Sequence, residues 1–128
     1  MGIARGGFSE GASTLTQQLI KNNVSRTYKR RKFHMINYKR KIQEQYLAVQ
    51  IEKQMNKNEI MESYLNTINL GQNCLGVQSA SQRYFGKDVS DLTLSECAVI
   101  AGITQNPTDY DPVTRPENNK IRRNKVLK

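Results

Sequence analysis

The sequence predicts an all-α fold. Apolar residues recur at helical spacing through the middle of the 128-residue chain, whereas no segment has the strict alternation of a β-strand. Two segments carry a helix-start pattern in which Asn or Thr precedes Glu by three residues, namely Asn56 with Glu59 and Thr93 with Glu96. The prolines all lie after residue 106, which leaves the centre of the chain free for helices.

The first two helices are predicted in the N-terminal half. The first begins with Ser13 as its N-cap, and its apolar positions recur at Leu15, Leu19, Ile20 and Val24. The second runs from about Lys32 to about Gln54. Its N-terminal half is charged, and its C-terminal half is predicted to pack through Ile42, Tyr46, Leu47, Val49, Ile51 and Met55.

Two shorter helices come next. The third is predicted to start after Asn56, with Met55 and Ile60 as a hydrophobic staple, and to stop at Gly71. The fourth spans 77–85 and stops at Gly86, since glycine tolerates the left-handed conformation that commonly ends a helix.

The C-terminal part predicts two more helices. The fifth starts after Thr93 and contains the apolar run from Cys97 to Ile103, so Cys97 is predicted to be a buried small hydrophobe. The sixth is basic and begins near Pro116, because proline suits the first turn of a helix.

The composition fits one domain with a thin core. Apolar residues make up 37% of the chain and Trp is absent, so a further segment is expected to complete the core. Without that segment, exposed apolar surface is expected to favour self-association. No apolar stretch reaches the roughly 20 residues that a membrane-spanning helix needs, and the chain itself is predicted to be soluble.

Positive charge dominates the chain and is concentrated near its first third. The formal charge is +9, and residues 26–41 hold many Lys and Arg residues but no acid. Such a run seeks anions, and its candidate partners are nucleic acid, an anionic membrane surface or a phosphorylated small substrate. A solvated helix face is the simpler alternative.

The segment 11–19 gathers uncharged hydrogen-bonding side chains at a predicted helix N-terminus. Free N–H groups there suit a phosphate, and the side chains suit sugar hydroxyls, with Lys21 one turn further on as a point charge. The candidate binding residues are Ser13, Thr14, Gln17, Gln18 and Lys21. On chemistry alone, an ordinary capped amphipathic helix with a polar side is the favoured explanation of this segment.

Arg40, Lys41 and Glu44 form a second candidate cluster. Their i+3 and i+4 spacing predicts either a weak surface ion pair or a carboxylate that orients two cations towards a pyrophosphate and accepts a hydrogen bond from a sugar. A complete acid–base mechanism would need a second carboxylate. His34 is the chain's only histidine and does not indicate a metal site.

Four ordered segments resemble the motifs of the glycosyltransferase module of class A penicillin-binding proteins and their monofunctional relatives. The second motif is matched by residues 11–18, the third by 40–44, the fourth by 57–71 and the fifth by 94–107, continued by Tyr110 and Pro112. The match covers nearly the whole chain. Four motifs in order are a specific signal, although any one of them alone would be weak.

The resemblance implies a lysozyme-like helical fold and a reaction at the outer face of the bacterial cytoplasmic membrane. A lipid-linked disaccharide-peptide, lipid II, would extend a glycan strand with inversion and release of polyprenyl pyrophosphate. Glu44 matches the family's second, catalytic glutamate. Ser13, Thr14, Gln17 and Gln18 would line the donor site, and Lys21, Arg40 and Lys41 would neutralise the pyrophosphate. No cofactor is implied with certainty; a divalent cation, Mg²⁺ or Mn²⁺, at the pyrophosphate is the candidate.

Three departures from the family pattern are visible. The first motif, which carries the base, would lie upstream of Met1, so residues 1–128 are expected to form a domain fragment without that base. Ala12 stands where many members have Gly, and the spacing from Lys21 to Arg40 is longer than usual.

Two other functions stay open from the residues alone. A basic all-α nucleic-acid-binding module would account for the charge and would bind with a steep salt dependence. A lysozyme-like hydrolase would need an acidic carboxylate besides Glu44. Neither alternative predicts the order of the four motifs, and a pyrophosphate lipid on a membrane explains the basic run without nucleic acid.

Overall fold

A computed structural model describes residues 14–28 and 34–128 of the chain. Within those ranges it contains a 3-10 turn at Val89–Asp91 and the helices α1 (Leu15–Tyr28), α2 (His34–Gln54), α3 (Lys57–Thr67), α4 (Val77–Phe85), α5 (Leu94–Ile103) and α6 (Pro116–Val126). The described ranges contain no β-strand, and the isolated bridge between Asn69 and Leu75 is their one sheet-like pairing. The predicted all-α class is confirmed.

The predicted helix starts of α3 and α5 are confirmed as capping boxes. The Asn56 side chain accepts the N–H of Glu59 at 3.0 Å, and the Glu59 carboxylate accepts the N–H of Asn56 at 2.7 Å. Thr93 and Glu96 make the same reciprocal pair, at 3.4 and 2.8 Å. These bonds satisfy N–H groups that have no partner inside the helix, which is why the local pattern was sufficient to predict both starts.

Two predicted helix boundaries are wrong. Helix α1 begins at Leu15, and Thr14 takes the capping role by accepting the N–H of Gln17 at 3.2 Å, while Ser13 lies outside the described residues. Helix α3 ends at Thr67 rather than Gly71. The chain leaves the helix at Ile68, with ψ at 140°, because the extended path carries Ile68 and Leu70 into the core.

The main core lies between the end of α3, the loop that follows it, α4 and α5. It is formed by Tyr64, Ile68, Leu70, Cys74, Ala80, Ile100 and Ile103. Helix α5 also packs on α6, and α1 packs on both α2 and α3. Helix α1 therefore connects the long helix α2 to the rest of the domain.

The predicted packing face of α2 is wrong. Ile42, Tyr46 and Val49 are 66, 65 and 52% exposed, whereas Glu44 and Ala48 are buried. Among the described elements α2 packs mainly on α1, and a narrow stripe that includes the small Ala48 is enough for that contact. Periodicity identified the helix but not the face that α1 covers.

The prediction for Cys97 is also wrong. Cys97 is exposed, and Cys74 is the buried cysteine. The neighbours Ala98, Ile100, Gly102 and Ile103 face the core and α6 instead. Helix α5 is apolar nearly all round, so its composition did not determine which residue would face solvent.

Two loops are joined beside the core by Asp111. The Gln72 side chain donates to the buried Asp111 carboxylate at 2.5 Å, and the N–H groups of Val113 and Thr114 donate at 2.8 and 3.2 Å. Burial by itself raises the pKa of Asp111, but these hydrogen bonds outweigh it, so the pKa lies below the ordinary value. The charged carboxylate thus stabilises the junction of the two loops.

Replacing Gly76 tests the tight passage from the first of these loops into α4. Gly76 has φ +84°, and a Cβ there would lie 2.6 Å from the backbone oxygen of Asn66, whereas a Cβ on Gly86, at φ +68°, would meet nothing within 4 Å. We expect Gly76→Ala to lower the free energy of unfolding by more than about 3 kcal/mol, and the matched control Gly86→Ala by about 1 kcal/mol. Equal losses in urea unfolding would contradict the close approach.

The acid sensitivity of the domain tests the role of Asp111. Because its pKa is lower in the folded state than the unfolded value of about 3.9, its stabilisation is present above that pH and is lost as the pH falls through the folded pKa. We expect Asp111→Asn to lower the free energy of unfolding by about 1–2 kcal/mol at pH 7, with a smaller difference at pH 3. The exposed control Asp91→Asn should change little at either pH. A deficit for Asp111→Asn that is the same at both pH values would argue against a charge effect.

Candidate active site

Glu44 is a buried carboxylate on α2 held between two cations. Its side chain is 5% exposed, and its Oε1 and Oε2 atoms lie 3.4 Å from Arg40 Nε and 3.3 Å from Lys41 Nζ. The helical spacing of three and four residues brings both cations to the same side of α2. The carboxylate of this cluster is therefore buried, unlike that of an ordinary surface ion pair.

The Glu44 carboxylate has charge partners but unused hydrogen-bonding capacity. Both oxygens are shielded from solvent, and neither accepts a hydrogen bond from the described residues. A buried carboxylate is costly when its oxygens lack donors, since it has given up its bonds to water. A ligand hydroxyl that donates to Glu44 would replace those lost bonds.

The two cations remain partly open to solvent. The side chains of Arg40 and Lys41 are 39 and 43% exposed, although each has an atom within ion-pair distance of the buried carboxylate. With one carboxylate and two cations, the cluster keeps a net charge of +1. The arrangement favours an anionic group at the mouth of the site.

The candidate residues of α1 occupy different environments. Thr14 is exposed and caps the helix, Gln17 and Gln18 are half-buried, and Lys21 is exposed with no ion-pair partner among the described residues. Ser13 lies outside the described residues. No hydrogen bond or ion pair within the described ranges joins Thr14, Gln17 or Lys21 to the Glu44 cluster, although α1 packs directly on α2.

Two contacts that position α1 were not predicted from the sequence. Thr16 is 4% exposed, and its hydroxyl donates to the Glu52 carboxylate of α2 at 2.7 Å. Glu52 lies about two turns after Glu44, so this bond fixes α1 against the helix that carries the charged cluster. The available signal was a Thr inside the apolar stripe of α1, since a buried hydroxyl requires a partner.

Tyr64 makes the second contact, from α3 to α1. Its hydroxyl donates to Gln18 Oε1 at 3.3 Å, and burial raises the pKa of Tyr64, so the hydroxyl remains a donor at neutral pH. Tyr64 lies within the motif matched by residues 57–71, but no contact with α1 was predicted for it. Its phenol ring packs in the core while its hydroxyl orients a candidate substrate-binding side chain.

The described residues contain no ready-made protein site for a divalent metal ion. They contain no group of three or more His, Cys, Asp or Glu side chains close enough to hold one. Glu44 is a single carboxylate flanked by cations, which repel a metal ion. No chemical step here is assigned to a metal.

Known proteins resemble this chain over most of its length. A family model described as transglycosylase matches residues 2–128. Penicillin-binding protein 1A of Clostridium botulinum strain Langeland is 51% identical over 110 residues, which cover 86% of this chain and 12% of that relative. The protein of the same name from Neisseria cinerea is 42% identical over 125 residues, 98% of this chain and 15% of the relative. The chain thus spans only a small part of the length of these relatives.

The Thr16–Glu52 hydrogen bond can be tested by a double-mutant cycle. Glu52→Ala leaves the buried Thr16 hydroxyl without an acceptor, so we expect a loss of about 1–3 kcal/mol in the free energy of unfolding. Thr16→Val removes the hydroxyl with little change of shape and should cost less. The loss in the free energy of unfolding of the double variant should be smaller than the sum of the two single losses by about 1 kcal/mol.

Exposed Glu62 on α3 supplies the control for this cycle. Glu62→Ala removes a carboxylate that has no hydrogen bond or ion pair among the described residues, and it should change the urea midpoint little. Additive losses for Thr16→Val and Glu52→Ala would show that the two side chains do not stabilise each other.

Proposed function

Because the chain belongs to the transglycosylase family, we propose that it contributes the donor side of a peptidoglycan glycosyltransferase. Its substrate is a disaccharide-peptide carried on a polyprenyl pyrophosphate, lipid II, and its product is a longer glycan strand. The observation that carries this proposal is the buried Glu44 carboxylate, which lies between two cations and has two oxygens without hydrogen bonds. Such a site suits a ligand that brings both an anion and a hydroxyl.

The cations bind the leaving group. When the bond between the anomeric carbon and the pyrophosphate breaks, negative charge accumulates on the pyrophosphate oxygen. Arg40 and Lys41 already stand beside each other because Glu44 holds them, so little reorganisation is needed as this charge develops. Exposed Lys21 adds a third positive charge from α1.

Glu44 contacts the sugar in this mechanism and does not act as the base. A hydroxyl oxygen of the acceptor attacks the anomeric carbon with inversion, its proton passes to a base, and the pyrophosphate leaves with the bonding electrons. In the family pattern that base is the glutamate of the first motif. Glu44 accepts a hydrogen bond from a sugar hydroxyl and keeps the two cations oriented, since both cations are already paired with its oxygens.

Uncharged side chains of α1 complete the donor site. Thr14, Gln17 and Gln18 lie along one end of α1, with Ser13 next to them in sequence, and their amide and hydroxyl groups suit sugar hydroxyls. The Tyr64 hydroxyl of α3 orients Gln18 by donating a hydrogen bond to it. The parent protein acts at the outer face of the cytoplasmic membrane in this proposal, and no helix among the described residues is long and apolar enough to span a bilayer.

Binding of a fluorescent lipid-linked disaccharide, followed by polarisation, tests this function. We expect Lys21→Ala and Lys41→Ala each to weaken binding about tenfold, because each removes one cation from the pyrophosphate site. Lys125→Ala, which removes an exposed cation from α6, is the charge-matched control and should change the affinity less than about twofold. Glu44→Gln should narrow the preference for this ligand over polyprenyl pyrophosphate without sugar, because a charged acceptor holds a hydroxyl more strongly than a neutral one.

Two outcomes would overturn the proposal in favour of other functions. Displacement of the lipid-linked probe by duplex DNA, with a steep dependence on salt, would favour a nucleic-acid-binding module. Release of short sugars from a preformed glycan would favour a hydrolase. Equal effects of Lys125→Ala and Lys21→Ala would indicate attraction by net charge alone.

A further inference from the structure

A cleft lies between the loop that follows α3 and the loop that precedes α6. It has a volume of about 280 Å³ and is lined by Asn69, Gln72 and Asn73 from the first loop and by Pro107, Thr108 and Asp111 from the second, with Thr114 beside them. We refer to it as the loop cleft. It is separate in sequence from Arg40, Lys41 and Glu44, and neither the donor residues nor the candidate cations line it.

The loop cleft is rigidly built. Gly71, Gln72 and Asn73 all have positive φ, at 76, 46 and 61°, a conformation that is uncommon for Gln and that Asn tolerates more readily. Surrounding bonds hold them there: Cys74 N–H donates to the Gly71 oxygen at 2.7 Å, and Gln72 is tied to Asp111. Strained residues held in this way are frequent at ligand-binding sites.

Several polar groups of the loop cleft are left without partners. Among the described residues, neither the Asn73 carboxamide nor the Thr108 hydroxyl makes a hydrogen bond, and Gln72 uses its nitrogen for Asp111 while its oxygen is unused. The Pro107 ring adds an apolar face beside them. The cleft therefore offers donors and acceptors next to one apolar surface.

The lining selects the chemical class of the ligand. No Lys or Arg side chain lines the described part of the cleft, which disfavours a phosphate, and Pro107 alone is too little apolar surface for a lipid. Asp111 is the one carboxylate, and its oxygens already accept from Gln72, Val113 and Thr114, which disfavours a metal ion. A neutral ligand rich in hydroxyl and amide groups fits this lining.

We propose that the loop cleft binds one N-acetylated sugar ring of the glycan strand. Carboxamide and hydroxyl side chains match the acetamido and hydroxyl groups of such a ring, and Pro107 packs against its apolar face. The volume suits a single ring and excludes the whole lipid-linked disaccharide-peptide. This inference rests on the proposed glycan-extending function, since it supplies a second contact for the same polymer.

The path from the donor side to the loop cleft is short. Asn69 follows Tyr64 by five residues, so the two Cα atoms are at most about 18 Å apart, and Tyr64 contacts Gln18 directly. A glycan strand of a few sugars covers such a distance. One strand can therefore contact α1 and the loop cleft at the same time.

The test is a nuclear magnetic resonance titration of the isotope-labelled chain with a soluble disaccharide of N-acetylglucosamine and N-acetylmuramic acid. We expect the backbone amide signals of Gln72, Asn73 and Thr108 to shift. Asn73→Gly, which removes the carboxamide and still tolerates positive φ, and Thr108→Val should each weaken binding about fivefold. Asn118→Ala on the exposed face of α6 is the control and should leave the affinity unchanged.

Cellobiose, which has no acetamido group, is the ligand control and should bind more weakly. Shifts confined to residues outside the two loops, or equal weakening by Asn118→Ala and Asn73→Gly, would overturn the proposal. Cellobiose binding with the same affinity as the N-acetylated disaccharide would contradict recognition of an N-acetylated ring. Binding of the lipid-linked probe to the Lys21→Ala variant separates the two proposals. If only the proposed donor site is wrong, the loop signals still respond to the disaccharide. If only the proposed loop-cleft site is wrong, Lys21→Ala still weakens binding of the lipid-linked probe.

Discussion

The burial of the Glu44 carboxylate is the constraint on which the candidate site depends. A charged group with 5% of its side chain exposed requires compensation, and Arg40 and Lys41 supply it from the same helix. Because both cations lie within four residues of Glu44 on the same helix, the three side chains are brought together once α2 forms. The two cations are therefore oriented before any ligand arrives, while their outer parts remain accessible.

Helix α1 packs on α2, the helix that carries the site, and links it to the rest of the domain. Thr16 fixes it to α2 through Glu52, and Gln18 fixes it to α3 through Tyr64. The same helix carries candidate binding residues on its remaining side. Its position relative to α2 therefore determines how the polar side chains of α1 lie with respect to the charged cluster.

Features that depend on local chemistry were predictable from the sequence. The capping boxes at Asn56 and Thr93, the stop at Gly86 and the start at Pro116 each depend on residues within one helical turn. Features that depend on distant contacts were not. Gly71 resembled a helix stop, but burial of Ile68 and Leu70 ended α3 earlier, and the exposed Ile42 and Tyr46 belong to a helix whose covered face was decided by α1.

In the candidate site, too, the features set by local spacing were predictable and those set by distant contacts were not. Arg40, Lys41 and Glu44 were found because their spacing is a local pattern, and the family resemblance selected them from many similar ion pairs. The burial that distinguishes Glu44 from a surface pair is not encoded in the i+3 and i+4 spacing, and the contacts of Thr16 and Tyr64 join residues 36 and 46 positions apart. No rule of local spacing connects such residues. The loop cleft was missed for the same reason, since it forms only where the fourth and fifth motifs meet.

The two proposed binding regions differ in charge, and this difference suits their tasks. A pyrophosphate that must accept electrons as it leaves benefits from fixed cations, whose attraction grows as negative charge accumulates. A glycan strand that lengthens with each reaction has to move relative to the protein, and strong charged contacts would hold it in place. Neutral carboxamides and hydroxyls such as those of Asn73 and Thr108 give individually weak hydrogen bonds that exchange readily with water. In the two proposals, the cations of α2 would hold the group that is released, and the amides of the loop cleft would hold the polymer that is retained while it advances.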